Sequence, residues 1–143
     1  MNDLEIAKTL LSKERLTLVI VKNGEMLFET KFHRISGFLK AIEQQGKNLR
    51  DASVADRVVG KAVALLCVYA NVKEVYARTL SVEGKNVLQQ NGIAVEAKEL
   101  VNTILDDRKK DICPFEKEAA DVNDPQVAFD RFKALQKKVQ ACR

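Results

Sequence analysis

Residues 51–72, DASVADRVVGKAVALLCVYANV, decide how the rest of the chain reads. Beyond Val58 the stretch is apolar on nearly every side, which predicts a buried helix that other elements must cover. Ser53 followed three residues later by Asp56 resembles a capping box with Asp in place of Glu, so the helix is expected to start near Ser53. Its polar groups fall in the first two turns, at Asp56, Arg57 and Lys61. The two cations are one helical turn apart and would leave the same face. Gly60 then falls inside the helix, where glycine costs about 1 kcal/mol against alanine, and close approach to a sheet strand would explain it.

The segments on either side are short and amphipathic. Residues 3–12 place Leu4, Ile6, Ala7, Leu10 and Leu11 mostly on one helical face. Residues 16–21 are rich in β-branched side chains, and Asn23-Gly24 accepts the positive φ of a type I′ turn, so residues 26–32 should return as an antiparallel partner. Ser36 is the expected N-cap of a helix carrying Phe38, Leu39 and Ile42 and ended by Gly46. After the buried helix, residues 73–80 read as a core strand, Ser81 caps a short helix that stops at Asn91-Gly92, and residues 93–97 form another strand. That strand, helix, strand order implies a parallel crossover. A helical turn is expected around Leu100, Val101, Ile104 and Leu105. Cys113-Pro114-Phe115-Glu116 and Asp124-Pro125 each open a helix with proline at its first position, the last carrying Phe129, Phe132, Leu135 and Val139 at helical spacing over about residues 124–140.

The 143 residues fit one domain, 1–143, without an internal repeat or a dividing linker. A net charge of +4 comes from 24 basic and 20 acidic residues mixed along the length, so the linear pattern predicts no concentrated field to draw phosphate or an anionic membrane. The longest uncharged apolar run, residues 62–70, is too short to span a bilayer, and the first residues carry no basic region followed by an apolar core; a cytoplasmic protein is expected, with no membrane partner. Three widely spaced cysteines, Cys67, Cys113 and Cys142, do not form a disulfide framework.

Candidate chemistry is sparse. Gly60-Lys61 fails as a phosphate loop, because Ala55 and Ala62 stand where that pattern needs Gly and Ser or Thr. Cys113 precedes a helix start, which favours thiolate, while Glu116 adds a negative charge one turn away. The single histidine, His33, has no visible acid partner for a nucleophile pair. Three cysteines and one histidine without local pairing make a poor zinc set. With no Trp and with most Phe and Tyr at core positions, stacking platforms for nucleic acid are missing.

The order helix, β-hairpin, long buried helix, strand, helix, strand, helices resembles the cytidine-deaminase-like fold. Within it, Lys22-Asn23-Gly24, Ser36-Gly37, Asp56-Arg57-Val58-Val59-Gly60-Lys61-Ala62 and Cys113-Pro114-Phe115-Glu116 resemble an uncharacterised prokaryotic domain-of-unknown-function family that lacks the deaminase zinc site. These pieces span about residues 10–120. Zinc deaminases hold the metal with a His or Cys at the start of the buried helix and two cysteines at the next helix, with a Glu two residues after the first ligand. Here Ala55-Asp56-Arg57-Val58 and Ser81-Val82-Glu83-Gly84 stand in those places, which argues against hydrolytic deamination by that route.

The expectation is a three-layer α/β/α sandwich with a mixed sheet, holding a non-metal, cofactor-free pocket for a small nucleotide-like or anionic ligand. Ser36, Ser81 and helix N–H groups would accept an anion, Lys61 and Arg78 would balance its charge, and Asp56 would orient a donor, with Cys113 completing the set. One alternative makes Cys113, with Asp56, the catalytic group of an enzyme. The other is a protein-interaction or homo-oligomerisation module with a vestigial pocket.

Overall fold

The computed structural model describes residues 1–32, 35–106 and 108–141, and the side chains among these up to residue 138. The readings of His33, Cys142 and the Val139 side chain fall outside that set. Five strands, β1 (Leu18–Lys22), β2 (Glu25–Thr30), β3 (Ser53–Val59), β4 (Glu74–Ser81) and β5 (Ala94–Val101), form one sheet in the order β2-β1-β3-β4-β5. The β1–β2 and β1–β3 pairs are antiparallel, whereas β3–β4 and β4–β5 are parallel. The sheet is therefore mixed, and the β4-to-β5 connection is the expected crossover.

The main correction concerns the stretch quoted first. Ser53–Val59 is the central strand β3, and only Lys61–Ala70 is helix (α3). The apolar run of a strand flanked on both sides and covered on both faces cannot be told from a buried helix by pattern alone. Val54, Ala55 and Val59 are all fully buried there. The capping box is absent too. Ser53 Oγ donates to Glu74 at 2.5 Å, and Asp56 Oδ1 accepts from the backbone N–H of Val58 at 3.2 Å. Val54 and Val59 both enter the larger core although they are five positions apart, so strict alternation is broken before the end of the strand.

Helix α1 (Asp3–Lys13) covers one face through Ala7 and Leu11 against Val19, Val21 and Ala55. On the other face lie α2 (Ser36–Gln45), α3 and α4 (Val82–Gln90), whose buried residues share one core with Ile20, Val54 and Leu80. Helices α5 (Pro114–Ala119) and α6 (Pro125–Ala141) close over α3. Tyr69 of α3 stacks on Phe129 of α6 at 4.5 Å, and Phe115 of α5 meets Phe132 edge-on at 6.2 Å. Each such pair adds about 1 kcal/mol to its burial, and together they fix α5 beside the start of α3.

Two smaller expectations change. Leu100 and Val101 continue β5, and Leu105 makes an isolated antiparallel bridge to Ile112, so there is no helical turn at 100–105. Ser36 is the first residue of α2 rather than its cap, which is Ile35 without a side-chain cap bond. The hairpin is as read: Asn23 and Gly24 have φ of 53° and 80°. None of the described helices is long and apolar enough to cross a membrane.

Candidate functional site

Helix α3 starts directly after Gly60, with no acidic residue in its first turn and no side-chain cap bond from its own N-cap. Its exposed amides need acceptors from elsewhere. Glu116, on α5, supplies them: Oε1 accepts from Lys61 N–H and Oε2 from Ala62 N–H, each at 2.8 Å. Burial pushes the Glu116 carboxyl above the usual range, opposed by these two donations, while nearby Glu83 pushes it further up. Gly60 is the condition for this contact. A Cβ there would lie 1.5 Å from Glu116 Oε1, so the glycine answers to a close approach, though to a carboxylate and not to a sheet strand. Gly84, at the start of α4, likewise packs on Gly60, a Cβ meeting its carbonyl carbon and oxygen at 3.0 Å.

Beside this cap, where β3 hands over to α3, lies a cavity of about 190 Å³. Ile35, Ala62, Val63, Ile104 and Phe115 give it apolar walls, and Asp56, Arg57, Asp106, Cys113 and Glu116 its polar groups. Asp56 is 9% exposed, and burial pushes its pKa up to about 7 against the donations of the Val58 and Arg57 amides. It therefore changes protonation near neutral pH and can donate as well as accept. Deeper in, burial and then the charge of Asp56 push the Cys67 thiol far up, which leaves it a packing residue.

Of the six residues named from sequence, Asp56 and Cys113 meet in this cavity. The other four are not part of its lining. Lys61, 9% exposed, donates to the carbonyl of Ala120 at 3.1 Å. Ser81 is buried as the N-cap of α4, its Oγ accepting from Gly84 N–H at 3.0 Å. Arg78 lines a groove on the α1 face. Ser36 begins α2, beside the lining residue Ile35. Arg57 and Lys61 do not share a helix face, because Arg57 stands in β3 and donates Nε–H to the Leu16 carbonyl at 2.5 Å. An anion site at the buried helix is thus already filled from within by Glu116. That role had one trace in the sequence, an apolar helix following glycine with no acid of its own.

This sheet order, with α3 buried beneath outer helices, defines an α/β domain built on one mixed five-stranded sheet. The chain belongs to the DUF1893 family, a domain of unknown function, whose model matches residues 6–136. A DUF1893 family protein (TM1506) from Thermotoga maritima is similar in crystal structure at 24% identity, with a TM-score of 0.85 over 93% of this chain and 89% of that one. Acinetobacter baumannii RibD matches at 23% identity and a TM-score of 0.50 over 66% of this chain, which is 32% of RibD. The dCMP deaminase of cyanophage S-TIM5 in apo form matches at 20% identity and 0.48, over 69% of this chain and 94% of that one. At these identities the likeness is one of fold. None of the curated proteins compared matches the chain.

Zinc of the deaminase kind does not fit the residues present. The helix starts that would carry its ligands are Gly60-Lys61-Ala62, which begins five residues after Ala55, and Ser81-Val82-Glu83-Gly84. Gly60 and Gly84 pack backbone to backbone there, and no thiol or imidazole is among these residues. Among the described residues no group of three or more His, Cys, Asp or Glu is placed to hold a metal ion.

Proposed function

We propose that this domain binds a small, ring-sized molecule in the Asp56 cavity, recognising hydrogen-bond donors on an apolar, nucleobase-like body. The observation that carries this reading is a buried carboxyl that titrates near neutrality, set in a cavity whose walls are otherwise mostly apolar. At about 190 Å³ the space exceeds the roughly 150 Å³ that accommodates benzene, which admits one substituted ring but not a whole nucleotide. Among the described lining residues three carboxyl groups stand against one cation, Arg57, a balance that favours a neutral or protonated ligand over an anionic one. A thermal-shift screen of nucleobases, nucleosides and amino-substituted heterocycles against nucleotides and small anions tests the reading. Neutral or basic heterocycles should stabilise the wild type and have no effect on Asp56→Ala. A blank screen, or stabilisation that survives in Asp56→Ala, overturns it.

Cys113 lines the same cavity, which keeps the cysteine-dependent alternative in play. On that reading a mild electrophile labels Cys113 faster than Cys142 near neutral pH, and equal or slower labelling counts against it. The interaction-module alternative calls for an exposed apolar patch in place of a polar cavity. The cavity is polar in part, and the exposed apolar residues that lie together do so in pairs, Leu105 with Ile112 across a β-bridge and Met26 with Phe32 along one hairpin groove.

A further inference from the structure

The face of the sheet that α1 covers is covered only in part, and the open part is basic. A groove of about 540 Å³ is lined there by Lys8 and Lys13 of α1, Arg57 of β3, Tyr76 and Arg78 of β4, and Lys98 of β5. The register explains how the cations come together. Asp56, Ala77 and Ala97 are aligned across the three strands, as are Val58, Thr79 and Glu99. Arg57, Arg78 and Lys98 lie between these two rows, so they form a row of their own on the groove face. Neighbouring strands are about 4.8 Å apart. Like charges opposite one another on adjacent strands destabilise a sheet, and here three are in line. The nearby acid, Glu96, is drawn instead to Lys8, which also lies 4.8 Å over the Tyr76 ring. Nothing in the cavity chemistry calls for this row, apart from Arg57, which borders both spaces.

We propose that the groove is a second, separate binding site, for a short oligophosphate chain laid along Arg57, Arg78 and Lys98. The row spans two strand spacings, about 10 Å, too far for one compact anion to touch all three cations and suited to successive phosphate groups. Single-stranded nucleic acid fits less well, because α1 walls one side and the lone aromatic, Tyr76, has Lys8 on its ring. The proposal is independent of the ligand assigned to the Asp56 cavity.

Titration calorimetry of the full chain at low salt, with inorganic tripolyphosphate, orthophosphate and a short single-stranded oligonucleotide as probes, tests it. Tripolyphosphate should bind at least tenfold more tightly than orthophosphate, weaken steeply with added salt, and lose at least tenfold in Arg78→Gln/Lys98→Gln but not in Lys137→Gln on the exposed face of α6. The same double variant, relieved of repulsion, should melt no lower than the wild type without ligand, which separates lost binding from lost folding. Absence of tripolyphosphate binding, an equal loss in Lys137→Gln, or tighter binding of the oligonucleotide through the same residues overturns the proposal.

Discussion

Glu116 caps Lys61 across 55 residues of sequence, and through it the start of α3 is finished by a carboxylate from α5. A helix end and the wall of a cavity thereby become one structure. Replacing Glu116 with alanine leaves two backbone donors at a buried helix start without their acceptors. At roughly 1–3 kcal/mol for each unsatisfied buried group, partly offset by water, a loss of about 2–4 kcal/mol is expected. Glu116→Gln keeps one acceptor oxygen and should lose about half as much. Urea unfolding of the three proteins measures both, and a loss under about 0.5 kcal/mol for the alanine variant would show that the cap contributes little.

Gly60 and Glu116 should couple. Gly60→Ala puts a methyl group where Glu116 Oε1 lies and within 2.9 Å of Ile104 Cγ1, so the carboxylate must leave its two donors. The single substitution then costs the cap as well as the strain. In a Glu116→Ala background most of that conflict is already gone. The double variant is therefore expected to be about 1–2 kcal/mol more stable than the sum of the single effects, in the range of directly interacting pairs. Strict additivity in the four-protein cycle would refute the clash.

The hairpin tip offers an independent test of how α1 is seated. Asp3 accepts from the backbone N–H groups of Asn23 and Gly24, each at 2.8 Å, so the turn that the sequence announces is also the anchor of the first helix. Charge-assisted bonds of this kind contribute about 1–3 kcal/mol when partly shielded, less when exposed. Asp3→Ala should cost about 1 kcal/mol and raise amide exchange in α1 and the turn together. Faster exchange in the turn alone would mean that α1 is held by Ala7 and Leu11 without the anchor.

Local chemistry made much of this fold legible. Asn23-Gly24, the Ser81 cap, and Pro114 and Pro125 at helix starts stand as read, because each signal lies within a few residues of what it specifies. The boundary at Gly60 was not legible. Ser53–Val59 and Lys61–Ala70 are both buried, so neither shows the polar face that would reveal a period of two or 3.6. The site suffered for the same reason. A helical period makes Asp56 a cap and Arg57 a neighbour of Lys61, whereas strand geometry sends Asp56 to the cavity and Arg57 to the row with Arg78. Glu116 belonged by sequence to its own helix, and only tertiary packing through Phe115 and Phe132 brings it to α3.

Asp56 gives the last prediction its sign. Its folded-state pKa is raised to about 7, whereas an unfolded aspartate titrates near 3.9. Between those values the folded protein holds a proton that the unfolded chain has released, so this group makes stability fall as pH rises through the window from about 4 to 7 and level off above it. A shift of about three units corresponds to at most about 4 kcal/mol. Asp56→Asn removes the titration while keeping an oxygen to accept from Val58 N–H. The stability of the Asn variant relative to wild type should therefore increase between pH 4 and pH 8, by up to about that amount, whatever other groups do to both proteins. Paired urea titrations at several pH values measure the difference directly. A difference that stays flat across the window would mean that Asp56 remains ionised in the folded state, and with it the donor role assigned to this carboxyl at the cavity would fail.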